Sequence, residues 1–201
     1  MHLNQTGNLM QQRRRGADLE RAILEAAWFE LVERGYAGLT MEAVAERAGT
    51  SRPVLGRRWN GKAPLVVAAI RQQMAKNPII VPDRGDLRTE LLEFLDRASE
   101  RTSAIVATFS LLSSAYFTET TSTPKELRAS LIKGGHGQML PTILERAVTR
   151  GEVDREKLVP PLDSLLSDLF GGHILMTFSA PPPTLWQAWV DSVFLPLVRA
   201  K

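Results

Sequence analysis

The chain of 201 residues contains no cysteine. That excludes a disulfide framework, a thiolate metal site and a cysteine nucleophile, and it fits a reducing cytoplasmic compartment. Histidine is scarce: His2, His136 and His173 are the only three, and none of them pair at metal-ligand spacing. Motifs of the H-E-x-x-H, Walker-loop or G-x-S-x-G kind are absent. A glycine cluster around His136 falls inside an expected helix, far from any strand, which is poor context for a phosphate loop. Catalysis, a bound metal and a cofactor are therefore not expected. No apolar run approaches the roughly 18 residues that suggest a membrane span, and the first fifteen residues lack the apolar core of a signal peptide.

The composition that remains is that of a soluble globular protein, 44% hydrophobic and 23% charged. The length suits one medium domain, or a small domain joined to a larger one. The net charge is +3 and unevenly placed. Residues 1–62 hold 10 Lys/Arg against 7 Asp/Glu, while residues 63–201 hold 15 of each. A basic patch binds DNA by releasing counterions from the phosphate backbone. An excess of three charges in sixty residues is also within ordinary scatter, so it gains meaning only beside a motif.

Such a motif occupies residues 39–62, LTMEAVAERAGTSRPVLGRRWNGK. The pattern predicts two short helices around a tight turn. Thr40 caps the first, and Met41, Val44, Ala45 and Ala48 give it one apolar face. Gly49 sits where a chain leaving a helix takes a left-handed conformation. Thr50 or Ser51 caps the second helix, with Pro53 tolerated in its first turn. That helix carries Arg52, Arg57 and Arg58 and is expected to end near residues 59–61. This is the shape of a DNA-binding helix-turn-helix. In such a helix Arg52 is the first candidate for reading a base, with Pro53 offering an apolar contact. Arg57 or Arg58 would reach phosphates, which fix register without reading sequence. Trp59 is read as core.

The wider run over residues 23–65 resembles the amino-terminal domain of the tetracycline-repressor (TetR) family. The matching features are AA followed by ERGY, LT before the second helix, VAERAG-TS across the turn, and RRW-x-x-K after it. The resemblance implies an all-α fold: a three-helix DNA-binding domain followed by a larger helical domain for ligand binding and dimerisation. It also implies phosphate contacts by Thr40 and Lys62. Two positions depart from the pattern. Phe29 and Glu30 stand in the reverse of the usual order, and Gly56 replaces a tyrosine that would supply a phosphate or base contact.

Before the motif, residues 1–16 read as a disordered basic arm in which Arg13, Arg14 and Arg15 either reach DNA or merely solvate the tail. Helix one is expected over residues 17–34, stopped by Gly35. A connecting helix over 62–76 and a proline-containing linker follow, giving expected segments of 17–62, 63–84 and 85–201. Helices are expected over 86–101 and 103–117. Thr123-Pro124-Lys125-Glu126 reads as a capping box opening a helix toward residue 150, interrupted near 134–141. The last two helices are expected over 155–178 and 184–199.

In the second half, Phe109, Tyr116, Phe117, His136, Met139, His173 and Trp186 are candidates to line a mostly apolar ligand pocket, although an ordinary helical core uses the same residue types. The final helices carry apolar residues beyond one stripe, which suggests a second packing partner. By resemblance, Leu162, Leu166, Leu169, Phe170, His173, Trp189, Val193 and Leu197 would face a second copy. The expected function is a ligand-responsive, homodimeric transcriptional repressor on a palindromic double-stranded DNA operator. Its effector is an unknown small molecule, and no membrane is involved. The rival readings are a helical small-molecule-binding protein whose operator binding is lost or altered, and, less favoured, an enzyme using the helical pocket.

Overall fold

The computed structural model describes residues 16–112, 114–132 and 138–200. The arginines of the amino-terminal arm, His136 and the glycine cluster beside it lie outside those residues. Among the described residues the fold is helical with no named strand, apart from a single bridge between Val153 and Arg199. The all-α expectation holds.

The first four helices are α1 (Ala17–Gly38), α2 (Met41–Arg47), α3 (Arg52–Gly56) and α4 (Lys62–Lys76). Gly35 breaks α1 as expected, with φ 65° and ψ 176°, although helical hydrogen bonding resumes for one further turn. The second helix of the motif ends at Gly56 rather than near residue 60. The chain tightens there: the N–H groups of Arg58 and Trp59 both donate to the Leu55 carbonyl. A five-residue helix cannot persist on backbone bonds alone. Full burial of Leu55 contributes about 2 kcal/mol, which outweighs the cost of about 1 kcal/mol for Gly56 in the last turn.

The second half contains α5 (Leu87–Ser99), α6 (Thr102–Leu112), α7 (Tyr116–Thr120), α8 (Pro124–Ile132), α9 (Met139–Thr149), α10 (Leu165–Thr177), α11 (Pro183–Ala188) and α12 (Leu195–Val198). The capping box at α8 is present: the Glu126 N–H donates to Thr123 Oγ1 at 3.2 Å, and the Thr123 N–H donates back to Glu126 Oε2 at 2.8 Å. The helix expected over 155–178 starts ten residues late. Only a short 3₁₀ turn (Arg155–Lys157) precedes α10, because Pro160 and Pro161 fall in the expected helix and cannot donate its hydrogen bonds. The final helix is continuous but widens to a π-helical turn over Trp189–Phe194, just ahead of Pro196. Proline lacks the N–H and crowds the carbonyl four residues earlier, and a π turn relieves both.

Two apolar cores form. One joins α1–α4 to Ala104, Ala107 and Leu111 of α6, Tyr116 of α7, and Leu127 and Leu131 of α8. The other joins Val81 and α5 to α9, α10 and the terminal helices. Helix α4 packs on α1 on one side and on α6, α7 and α8 on the other, so the motif's neighbour is shared with the second half of the chain.

Candidate nucleic-acid interface

The corner between α2 and α3 is built from backbone hydrogen bonds. Thr40 Oγ1 accepts the Ala43 N–H at 3.1 Å and caps α2. At the other end the Thr50 N–H donates to the Ala45 carbonyl at 2.9 Å, and the Gly49 N–H to the Glu46 carbonyl at 3.0 Å. This paired closure is a Schellman motif, and Gly49 supplies its left-handed residue at φ 65°. Ser51 holds the N-cap position of α3 without a side-chain cap bond, and Thr50 is half-buried beside it. Because Leu55 points into the core, Arg52, Pro53, Gly56 and Arg57 are left exposed. Trp59 packs partly buried against the first core, as its core reading requires.

The cations of this face differ in their partners. Arg52 pairs with Glu42 of α2. Arg58 pairs with Glu20 of α1 at 3.0 Å. Lys62, at the start of α4, reaches Glu119 of α7 at 3.3 Å. Arg57 makes no ion pair among the described residues. Exposed pairs of this kind are worth at most about 1 kcal/mol, so a duplex phosphate can exchange with the carboxylates.

The bracing behind α2 is where the inverted Phe29-Glu30 order acts. Phe29 is exposed, with the Arg47 guanidinium 5.9 Å from its ring centroid. Glu30 points inward and is 2% exposed. Its Oε1 accepts Arg47 Nε at 2.8 Å, Arg34 Nε lies 3.3 Å from its Oε2, and Arg47 also bonds Glu33. Arg47 thus clamps α2 to α1. Helical spacing in helix one predicts an apolar residue near position 30, and the chain buries Glu30 there by ionic pairing instead.

The candidate pocket residues do not converge. Tyr116 and Phe117 pack in the first core, with Tyr116 edge-on to both Phe117 and Tyr36. Phe109, Met139 and Trp186 pack in the second, where Met139 Sδ accepts the Val81 N–H at 2.9 Å. His173 sits on the outer side of α10, 6.2 Å edge-on from Trp189. Tyr116 lines a cleft of about 620 Å³ between the start of α4 and α7–α8. Tyr116 and Phe117 are thus used in one core and Phe109, Met139 and Trp186 in the other, so these five do not gather around one cavity.

The expected interface residues also divide. Leu166 and Phe170 are buried within the chain and present nothing to a partner, and these two are corrected; Leu162 packs half-buried on the second core ahead of α10. Leu169, His173 and Trp189 are half-buried, while Val193 and Leu197 are exposed. Met176, 78% exposed, continues the helical spacing from Leu169 through His173 but is not among the expected interface residues, and Phe178, 65% exposed, follows at the end of α10.

A capped two-helix corner that presents an arginine-bearing helix, backed by a core shared with a larger helical half, defines a helix-turn-helix DNA-binding transcriptional regulator. Residues 23–69 match the family model "Bacterial regulatory proteins, tetR family", and residues 81–193 match "Tetracyclin repressor-like, C-terminal domain". The chain belongs to the TetR family. An uncharacterised HTH-type transcriptional regulator of Mycobacterium tuberculosis is 31% identical over 172 residues, spanning 83% of this chain and 81% of the relative. A DNA-binding transcriptional repressor TetR of Mycobacteroides abscessus is 30% identical over 191 residues, 92% of this chain and 96% of the relative. In fold the chain is similar to a TetR-family regulator from a Rhodococcus species, with a TM-score of 0.66 and 21% identity over 90% of this chain and 99% of that one. It is also similar to the fatty acid degradation regulator FadR from Bacillus halodurans, with a TM-score of 0.59 and 17% identity over 91% of this chain and 97% of that one.

Proposed function

We propose that the protein is a homodimeric repressor that holds a palindromic operator with two copies of α3 and leaves it when a small molecule shifts their spacing. The observation that carries this reading is the exposure of Arg52, Pro53 and Arg57 opposite the buried Leu55. In the major groove Arg52 donates two hydrogen bonds to a guanine edge. Arg57, Arg58, Thr40, Thr50, Ser51 and Lys62 surround it as phosphate contacts. Repression is supported by the Mycobacteroides abscessus relative, which is a repressor. Dimerisation is supported by the apolar face of Leu169, His173, Met176, Trp189, Val193 and Leu197. The protein acts by binding rather than by catalysis, in the cytoplasm where its DNA lies. Segments 17–62, 63–84 and 85–201 serve as reader, connector and ligand-binding and dimerising half. Effector release requires a ligand with different affinities for the DNA-bound and free states, acting through α4.

Operator selection from random duplexes tests this. The expected product is an inverted repeat with a guanine in each half-site, bound with a steep salt dependence. A second reading, a helical binding protein with lost operator recognition, is favoured by Gly56 and by the internal carboxylates on Arg52, Arg58 and Lys62. Recovery of no enriched sequence, with weak binding of all duplexes, would support it.

A further inference from the structure

Lys62 is held on three sides. Its Nζ lies 3.3 Å from Glu119 Oε1, 3.4 Å from the Tyr36 carbonyl oxygen, and 4.4 Å from the centroid of the Tyr36 ring. Its three N–H donors are turned into the protein, and the side chain is only 24% exposed. The other Glu119 oxygen accepts the Tyr36 hydroxyl at 2.7 Å. This fixes the carboxylate over the start of α4, and Tyr36 in turn packs edge-on against Tyr116 of α7. The Tyr36 hydroxyl first and Lys62 second hold the Glu119 carboxyl below the usual carboxylate range, so it is charged wherever the protein is folded near neutral pH.

Helix α4 begins at Lys62, after Gly61, with no side-chain cap. An uncapped helix start beside a lysine attracts an anion. In this chain the anion beside that lysine is Glu119, carried by α7 from the other half.

We propose that Glu119 is a latch on the DNA-contacting lysine: a carboxylate standing in for a duplex phosphate, which occupies Lys62 in the free protein and is exchanged for phosphate on binding. This rests on the assignment of Lys62 as a phosphate contact. It makes DNA affinity depend on the position of α7. A shift that draws α7 away releases Lys62 to the duplex, and one that presses it closer withholds the lysine.

The test uses the full chain and a mixed-sequence duplex, because phosphate contacts carry no sequence preference. Glu119→Gln keeps the shape and removes the charge. It is expected to tighten binding by about fivefold and to steepen the salt dependence by up to about 0.9 per protomer, the value of one added phosphate contact. In a Lys62→Met background the same change is expected to leave affinity unaltered. Equal tightening with and without Lys62 would reduce Glu119 to a general negative charge and overturn the latch; no tightening with Lys62 present would overturn it too. If Lys62→Met alone changes neither affinity nor salt slope, the phosphate assignment itself fails and the latch falls with it. A readout independent of DNA is the acylation rate of Lys62 followed by peptide mass mapping. It should be slow in the wild-type chain and severalfold faster in Glu119→Gln, with Glu119→Asp between them should the glutamine variant not fold; equal rates in all three overturn the latch.

Discussion

Gly56 shows how a single residue can be neutral for the fold and still matter for the site. It lies in the last turn of α3 with ordinary helical backbone, and a Cβ built there would meet nothing within 4 Å. No packing constraint therefore requires glycine. Gly56→Ala is expected to raise stability by about 0.5–1 kcal/mol in denaturant titration. Gly56→Tyr, which restores the residue the family resemblance implies, is expected to raise duplex affinity by about fivefold, the worth of one net hydrogen bond of about 1 kcal/mol. A tyrosine variant that binds no better would show that the slot lies off the DNA. Glu30 behaves in the opposite way. Removing its main partner by Arg47→Met leaves a buried carboxylate with only the half-exposed Arg34. The cost should approach, without reaching, the 3–5 kcal/mol of a fully buried pair, at about 2–3 kcal/mol. Glu30→Met is expected to cost less than about 1 kcal/mol, since Arg47 keeps Glu33 and the Phe29 ring. Equal losses in the two variants would contradict the clamp. Helical spacing marks a buried position near residue 30, but not that a carboxylate fills it, because hydrophobic periodicity has no symbol for a carboxylate offset by Arg47 of α2 and by Arg34 of its own helix.

Elements were legible where local chemistry decides them and obscure where it competes. The corner at Gly49, the Thr123 capping box and the start of α4 all depend on neighbours a few residues apart, and each lies where the sequence put it. The delayed start of α10 is equally local, since Pro160 and Pro161 stand inside the expected range 155–178 and cannot donate the hydrogen bonds a helix needs there. The π turn ahead of Pro196 was not legible, because the helix survives there only through packing of Val190, Phe194 and Val198 in the second core. That turn rotates the residues after it relative to those before it; the interface candidates found buried, Leu166 and Phe170, lie instead on α10, where apolar residues surround the helix and spacing alone does not say which side faces the core. The face that remains is Met176, Val193 and Leu197, with the His173–Trp189 contact between the two helices. Val193→Asp together with Leu197→Asp is expected to convert the proposed dimer to monomer in analytical ultracentrifugation while leaving helicity unchanged, because neither side chain belongs to the core. An unchanged sedimentation coefficient would place the interface elsewhere.

The whole molecule is organised around α4. One side of it completes the core of the DNA-reading corner, and the other meets α6, α7 and α8, so the first core takes residues from both halves of the sequence. The linker at residues 77–85 reads as a boundary, yet the packing crosses it through α4. The candidate ligand pocket failed for a related reason: aromatic and Met residues far apart in sequence were grouped by type, and the fold assigns them to two different cores. The residues proposed to read DNA lie within one short motif whose geometry is fixed by adjacent turns, so their exposure on α3 follows from local chemistry. The central claim is that the exposed side of α3 reads sequence. Its most direct test is to repeat the selection from random duplexes with Arg52→Ala beside the wild-type chain. The account predicts loss of preference for guanine at one position in each half-site, about 1–3 kcal/mol of discrimination, with the other positions and the spacing retained. An identical selected sequence from both proteins would contradict it.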